Sequence, residues 1–309
     1  MIADAVVLMS VYAILTLALN LSLGMTGLFN LGLAGFFAVG AYGTGILAVA
    51  ARWPFPAVLC AVVVLGALAG LLLAGPSLRL RGDYLAIVAL GFGQVTETVL
   101  NSWDGFTGGP NGYSGIPAPR LLGHALGPAG VAVFAVALLA LAFVAVEAIQ
   151  RSPYGHLLGA VRDDEVLVQA LGKSPHGAKV TALALSGAVC ALGGAAYAYS
   201  VSYVDPGLAD FQMSVYIFLA LLFGGLGSTW GSVVGGAALV VVIEALQVVN
   251  LPTSVTGPLQ EAFFAFCLIA LTLWRPQGLI APAGRGRARA AAAAPALYLD
   301  DVEEATRDA

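Results

Sequence analysis

The chain has 309 residues, 60% of them hydrophobic, and only 30 Asp, Glu, Lys and Arg side chains, 10% where a soluble domain carries about 25%. That composition excludes a pair of ordinary soluble domains of about 150 residues each. A net charge of −4 built from so few groups also excludes nucleic acid as a partner, since such a partner needs a basic surface; an all-α, polytopic transmembrane helical bundle remains.

Residues 5–51 hold no charged side chain, a run of 47 that suffices for two crossings at about 20 residues each. Charge-free stretches recur over 53–78, 121–146, 180–204 and 211–243. Lipid offers the backbone no hydrogen-bond partners, so spanning segments are helices or closed barrels, and long apolar runs without strict alternation select helices. In chain order the predicted spans are 3–23, 31–50, 54–76, 84–101, 128–149, 179–200, a pair at 211–224 and 230–249 broken by glycine, and 256–274, about eight crossings within a transmembrane domain over 1–280. The first span lacks a basic leader and a small-residue cleavage site, so it reads as retained rather than as a signal. Residues 281–309 pass from GRGRAR through an alanine tract to LDDVEEATRDA without apolar period. They are expected to form a disordered cytoplasmic tail whose basic start lies near anionic lipid.

Alternating the exposed segments gives one side eleven Arg and Lys residues, among them Arg79, Arg81, Arg151, Arg162, Lys173, Lys179 and Arg275, and the other only Arg52 and Arg120. By the positive-inside rule 76–83, 150–178 and the C-terminus are cytoplasmic, while 102–127, 201–210 and 250–255 face outward. The N-terminus is then outside.

Glycine supplies 39 residues, many inside spans, where small residues let helix backbones approach. Gly66 and Gly70 form one small-xxx-small pair and Gly227, Gly231 and Gly235 form two that overlap. The runs Gly24–Gly35 and Gly224–Gly236 are dense enough to break helices, as interrupted spans beside transport pathways do. Cys60, Cys190 and Cys267 each stand alone in apolar surroundings and read as buried small hydrophobes rather than metal or disulfide partners. No metal cluster or Ser/His/Asp set emerges, and GKS at 172–174 lacks the first glycine of a phosphate loop. This chain is therefore expected to bind no cofactor and catalyse nothing itself.

The cytoplasmic segment QRSPYGHLLGAVRDDEVLVQALGKSPHGA, 150–178, carries the densest signals. Ser152 caps a helix with Pro153 at its first position, and Gly155 and Gly159 give it a small face. Asp163 or Asp164 caps a second short helix that has Glu165 in its first turn, and Gly172 ends it. Val166, Leu167, Ala170 and Leu171 share one face of that helix, an apolar stripe on a water-facing loop. Either a partner groove buries it or it folds back on the membrane domain. Inside the spans Asn20, Ser22, Thr26, Asn30, Gln94 and Thr96 are candidates to line a path, and each can equally hydrogen-bond between helices.

Four ordered blocks, LALNLSLGMTGLFNLGLAGFFAVGAY (17–42), LRLRGDYLAIVALGFGQVTETVLNSWDGFTGGPNG (78–112), SPYGHLLGAVRDDEVLVQALG (152–172) and LFGGLGSTWGSVVGGA (222–237), with WRPQGL (274–279), resemble the permease subunit of branched-chain amino acid ABC importers, the LivM-type family. The resemblance implies a bacterial plasma (inner) membrane complex of two permeases, the second expected to be a paralogue, with two cytoplasmic ATPases that use the ATP and an extracytoplasmic binding protein. It assigns the 152–172 block to ATPase coupling, with Gly155, Gly159, Arg162, Asp163, Asp164, Glu165, Leu167, Ala170, Leu171 and Gly172 as the coupling residues. Members of the family often have a further apolar segment before the first span, and often Glu where Gln94 stands here. The alternative class is an ATP-independent transporter or channel for a small polar solute such as urea or an amide. Absence of midplane carboxylates disfavours ion coupling.

Overall fold

Backbone approach at small residues determines how this bundle packs. The structure, a computed structural model, describes residues 2–77, 84–121, 124–248, 266 and 279–280. Helix α1 (Ile2–Leu19) widens into a π-helical turn at Asn20–Met25, and a non-helical link over 27–32 leads to α2 (Leu33–Val49). Then come α3 (Phe55–Ser77), α4 (Tyr84–Ser102), the one-turn α5 (Asp104–Thr107) and α6 (Pro128–Arg151). Two short helices, α7 (Pro153–Asp163) and α8 (Glu165–Ala170), precede α9 (Pro175–Val201), α10 (Phe211–Gly224) and α11 (Thr229–Val248). Among the described residues four helical stretches, Ala3–Met25, Phe55–Gly75, Pro128–Arg151 and Pro175–Val201, are long and apolar enough to cross a membrane, with shorter apolar helices at Leu33–Val49, Phe211–Gly224 and Thr229–Ala245. The predicted span 256–274, the tail 281–309 and the segment 78–83 lie outside the described residues.

Helix α9 is the axis of the bundle, packing on α1, α2, α3 and α6. Every residue from Ser186 to Ala196 is buried, as expected for a helix apolar on all sides. Small residues make this possible. A β-carbon on Gly70 of α3 would lie 2.3 Å from the Leu183 carbonyl oxygen, and one on Gly66 would lie 2.4 Å from that of Gly187. On the other flank, a β-carbon on Gly194 would lie 2.3 Å from the Phe37 carbonyl oxygen of α2. Cys190 is buried and donates its thiol to the Leu33 carbonyl at 3.3 Å. Cys60 departs from the expected burial: it is exposed on the outer side of α3, because only one side of that helix meets α9.

The glycine run after Gly224 makes a hairpin, not a kink within one crossing. Gly225 and Gly227 turn the chain at φ values of 118° and 82°, a region where a side chain is strained. Antiparallel α10 and α11 then zip along glycine, with a β-carbon on Gly235 falling 2.0 Å from the Ala220 carbonyl and one on Gly231 2.5 Å from that of Gly224. Helix α11 also runs antiparallel to α1, where Gly236 meets the Ala13 backbone. At 14 residues, α10 is about 21 Å long, short of the roughly 30 Å of hydrocarbon.

The two ends of the bundle differ. At one, β1 (Tyr113–Ser114) pairs antiparallel with β4 (Tyr203–Val204), drawing together the segments that follow α4 and α9, and β2 (Arg120–Leu121) pairs with β3 (His124–Ala125). There Thr107 donates to the Leu100 carbonyl at 2.6 Å, and the Gly108–Gly112 turn lies against Val204 and Asp205. At the opposite end lie the π-turn of α1, the α10–α11 turn and the α7–α8 pair.

Candidate functional site

The α7–α8 pair is built by the capping chemistry its sequence encodes. The Ser152 hydroxyl accepts from the Gly155 amide at 3.2 Å with Pro153 at the first helical position. Asp164, the second of the two predicted alternatives, caps α8 by accepting from the Val166 and Leu167 amides at 2.8 and 3.0 Å. Gly172 leaves α8 at φ 74°, and the Ser174 hydroxyl caps α9 through the Gly177 amide at 3.3 Å. Each cap satisfies an amide that would otherwise lack a partner.

These helices rest on the bundle by one side only. Leu158, Val161 and Val168 are buried, whereas Val166, Leu167 and Leu171 are 74%, 58% and 73% exposed. Ala170 shares that exposed face. The stripe therefore does not fold back on the membrane domain. Glu165 pairs with Lys179 at the start of α9, an exposed ion pair worth about 0–1 kcal/mol, and Asp163 is exposed. The Tyr154 hydroxyl bonds the Ala178 carbonyl at 3.1 Å, and burial raises its pKa above the ordinary value. Gly155 and Gly159 play different parts. A β-carbon on Gly155 would lie 2.3 Å from the Ile149 carbonyl, at the corner between α6 and α7, while none of the described residues lies within 4 Å of one on Gly159.

Arg162 ties α7 to the membrane part of the chain, donating from its guanidinium to the Gly24 carbonyl in the π-turn, and its aliphatic stem lies against Gly27. A π-turn leaves backbone groups out of the regular ladder and recurs at functional positions. From the same turn Asn20, fully buried, accepts the Gly227 amide at 2.9 Å. Gln150, at the end of α6, donates to the Gly227 carbonyl at 3.0 Å and accepts from the Thr229 hydroxyl. One junction thus joins α1, α6, α7 and the α10–α11 turn.

The other polar candidates divide. Ser22 donates to the Leu19 carbonyl at 3.2 Å, Thr26 to that of Ser22, and Thr96 to that of Phe92 at 2.8 Å. These three hydroxyls are satisfied by their own turns. Asn30 accepts from the Gly32 amide at 2.9 Å and shapes the link before α2. Gln94 is exposed on α4, where it donates to Glu97 at 3.0 Å. The structure does not bring Gln94 and Thr96 together with Asn20. Sequence reading missed Gln150 and Thr229, because a Gln at a helix end and a Thr after glycines carry no pattern until the turn is folded against α6.

An all-helical membrane bundle with a capped, one-sided helix pair at one end and a compact polar junction behind it suits a transport permease subunit. The profile of the family described as "Branched-chain amino acid transport system / permease component" matches residues 1–272. The chain is 33% identical over 301 residues to the high-affinity branched-chain amino acid transport system permease protein LivM of Escherichia coli K12, covering 90% of this chain and 69% of that one. It is 32% identical, with the same coverage, to the Salmonella typhimurium LivM. A probable LivM of Methanocaldococcus jannaschii is 26% identical over 228 residues, 70% of this chain and 65% of that one. No solved structure matches. The chain belongs to the branched-chain amino acid transport permease family and is a multi-pass membrane permease subunit.

Proposed function

We propose that this chain forms half of the membrane pathway of an ATP-driven importer for branched-chain, hydrophobic amino acids in a bacterial inner membrane. Energy comes from cytoplasmic ATPase subunits that dock on Pro153–Leu171, so this chain needs no cofactor and the ATP belongs to its partner. A second permease, most simply a paralogue, completes the pathway. An extracytoplasmic binding protein delivers substrate at the end that carries β1 and β4. The observation that carries the reading is the outward apolar face of α8, Val166, Leu167 and Leu171. Burial of that face supplies affinity, while Asp163 and Glu165 beside it fix register. Arg162 hands any displacement of α7 to the Gly24 carbonyl, and Asn20 passes it to the α10–α11 turn.

The test is the double variant Leu167→Asp, Leu171→Asp. Two carboxylates buried unpaired against the partner cost several kcal/mol, a few orders of magnitude in affinity. Uptake of leucine and co-purification of the ATPase should both fall away while the membrane level of the permease is unchanged. Persistence of both at the unaltered level would favour an ATP-independent transporter. Sidedness is checked separately: a cysteine placed by Ser114→Cys should react with an impermeant maleimide added from outside.

A further inference from the structure

The outer surfaces of the bundle are of two kinds. The outward sides of α3 and α6 show aliphatic groups, Leu68, Leu71 and Leu72 on one, Val133, Leu141 and Val144 on the other, as suits contact with lipid chains. Helix α4 carries both: Ile87, Val95 and Val99 are exposed on it, and among them Gly91, Gln94 and Thr98 are exposed one turn apart, with Gln94 bonded to Glu97 and Thr98 to the Gln94 carbonyl at 2.8 Å. Gln94 stands ten residues into the helix, about 15 Å from its start, the depth at which a lipid-facing amide is least favourable.

Beside this stripe lies a half-open cavity of about 330 Å3, bounded by Leu31, Leu90, Gly91, Gly93, Gln94 and Phe211. Small-ligand pockets occupy roughly 300–1,000 Å3 and combine apolar walls with a few polar groups. Its floor is fixed. Ser214 lines the cavity, and its hydroxyl oxygen accepts from the Ala34 amide at 3.1 Å. Its depth on the α4 side exists because position 91 has no side chain and none of the described residues lies within 4 Å of where one would start, while a β-carbon on Gly93 would stand 3.8 Å from the Ala209 carbonyl. Glycine is therefore not required there for packing, since either position accepts a methyl group without displacing backbone.

We infer that this cavity between α4 and the start of α10 receives the apolar side chain of the transported amino acid, with the Gln94 amide at its rim and the second permease closing it along α4. The inference rests on the transport reading above and assigns the place within the subunit where that substrate sits. A neutral amide beside apolar walls suits an uncharged aliphatic side chain, and the Glu97 carboxylate that this amide bonds is not part of the lining.

Two measurements on the assembled complex test it. Gly93→Ala removes one methyl group's worth of space from within, away from the subunit seam. Initial uptake of leucine relative to valine, compared with the unaltered complex, should fall roughly tenfold, the scale on which apolar pockets discriminate one methylene. Secondly, a cysteine introduced by Gln94→Cys should react with a maleimide in membrane vesicles, and saturating leucine with the binding protein present should slow that reaction severalfold. Only labelling absent from the unaltered chain is counted. An unchanged leucine-to-valine ratio in Gly93→Ala, or labelling that leucine does not slow, overturns the assignment. If Gly93→Ala fails to assemble, the labelling result decides alone. If the unaltered complex takes up no leucine, the transport reading fails and the cavity assignment with it; normal uptake with either negative result defeats the cavity alone.

Discussion

The seam between α2, α3 and α9 and the outward face of α7–α8 both depend on glycines and small apolar residues, yet for opposite reasons. At the seam a glycine is needed because a backbone lies where its β-carbon would be, as at Gly194 against Phe37. On α7 the space over Gly159 is open, and on α8 the aliphatic side chains point away from the bundle. The same residue types thus record a contact already made in one region and a contact still to be made in the other. Isolated subunits report on the first, and only the complex reports on the second.

The largest effect is expected at the seam. Gly194→Leu forces four side-chain carbons into backbone 2.3 Å away, and overpacking that cannot be relieved by rotamers costs several kcal/mol; the amount of folded subunit recovered from membranes in mild detergent should drop to background. If it does not, the seam is looser than the distances imply.

Next comes the contrast within α7. Gly155→Leu collides with the Ile149 and Gln150 carbonyls and should lower subunit recovery as well as uptake. Gly159→Leu meets nothing among the described residues, so subunit levels should match the unaltered protein while co-purified ATPase falls by about tenfold. Equal behaviour of the two variants would erase the distinction between packing and docking glycines.

A smaller change is expected at the junction. Arg162→Ala removes a charge-assisted hydrogen bond to the Gly24 carbonyl, of a kind worth about 1.5–3 kcal/mol. Uptake should decline while the ATPase still docks, because the α8 face is untouched; the readout is ATPase co-purification against transport rate. Asn20→Ala, which strands the buried Gly227 amide, should behave similarly at about 1–3 kcal/mol. Loss of ATPase binding in either would mean that the junction shapes the docking face rather than relaying its movement.

The smallest effect is predicted for the outer side of α6. Val144→Ala trims an exposed side chain and should leave thermal stability in detergent within about 0.5 kcal/mol of the unaltered subunit. A larger loss would mark that surface as covered by a partner rather than by lipid.

Local physics explains what was legible beforehand. Charge-free runs and glycine spacing located the helices, because length and hydropathy are properties of the chain alone. Ser152, Asp164, Gly172 and Ser174 announced the α7–α8 pair because a cap acts within three residues of itself. The close approach at Gly66 and Gly70 was legible in the same way, although their partners, Gly187 and Leu183, were not. Gly224–Gly236 signalled a break, but whether the chain kinks or reverses depends on whether α11 can zip onto α10, which is a contact between segments.

The sequence by itself determined an all-helical membrane protein, the order of the long helices among the described residues, and a capped apolar stripe beside charges. Tertiary structure alone decided that this stripe faces outward, that Arg162 reaches Gly24, and that Asn20, Gln150 and Thr229 meet at one turn. It also decided that Ser22, Thr26 and Thr96 are occupied by their own helices while Gln94 stands beside a cavity. Caps and hydrophobic runs are fixed by neighbours a few residues away, so they are written locally. Exposure, by contrast, depends on which segments 100 or more residues apart come together, such as Arg162 and Gly24 or Asn20 and Gly227, and no local pattern records it.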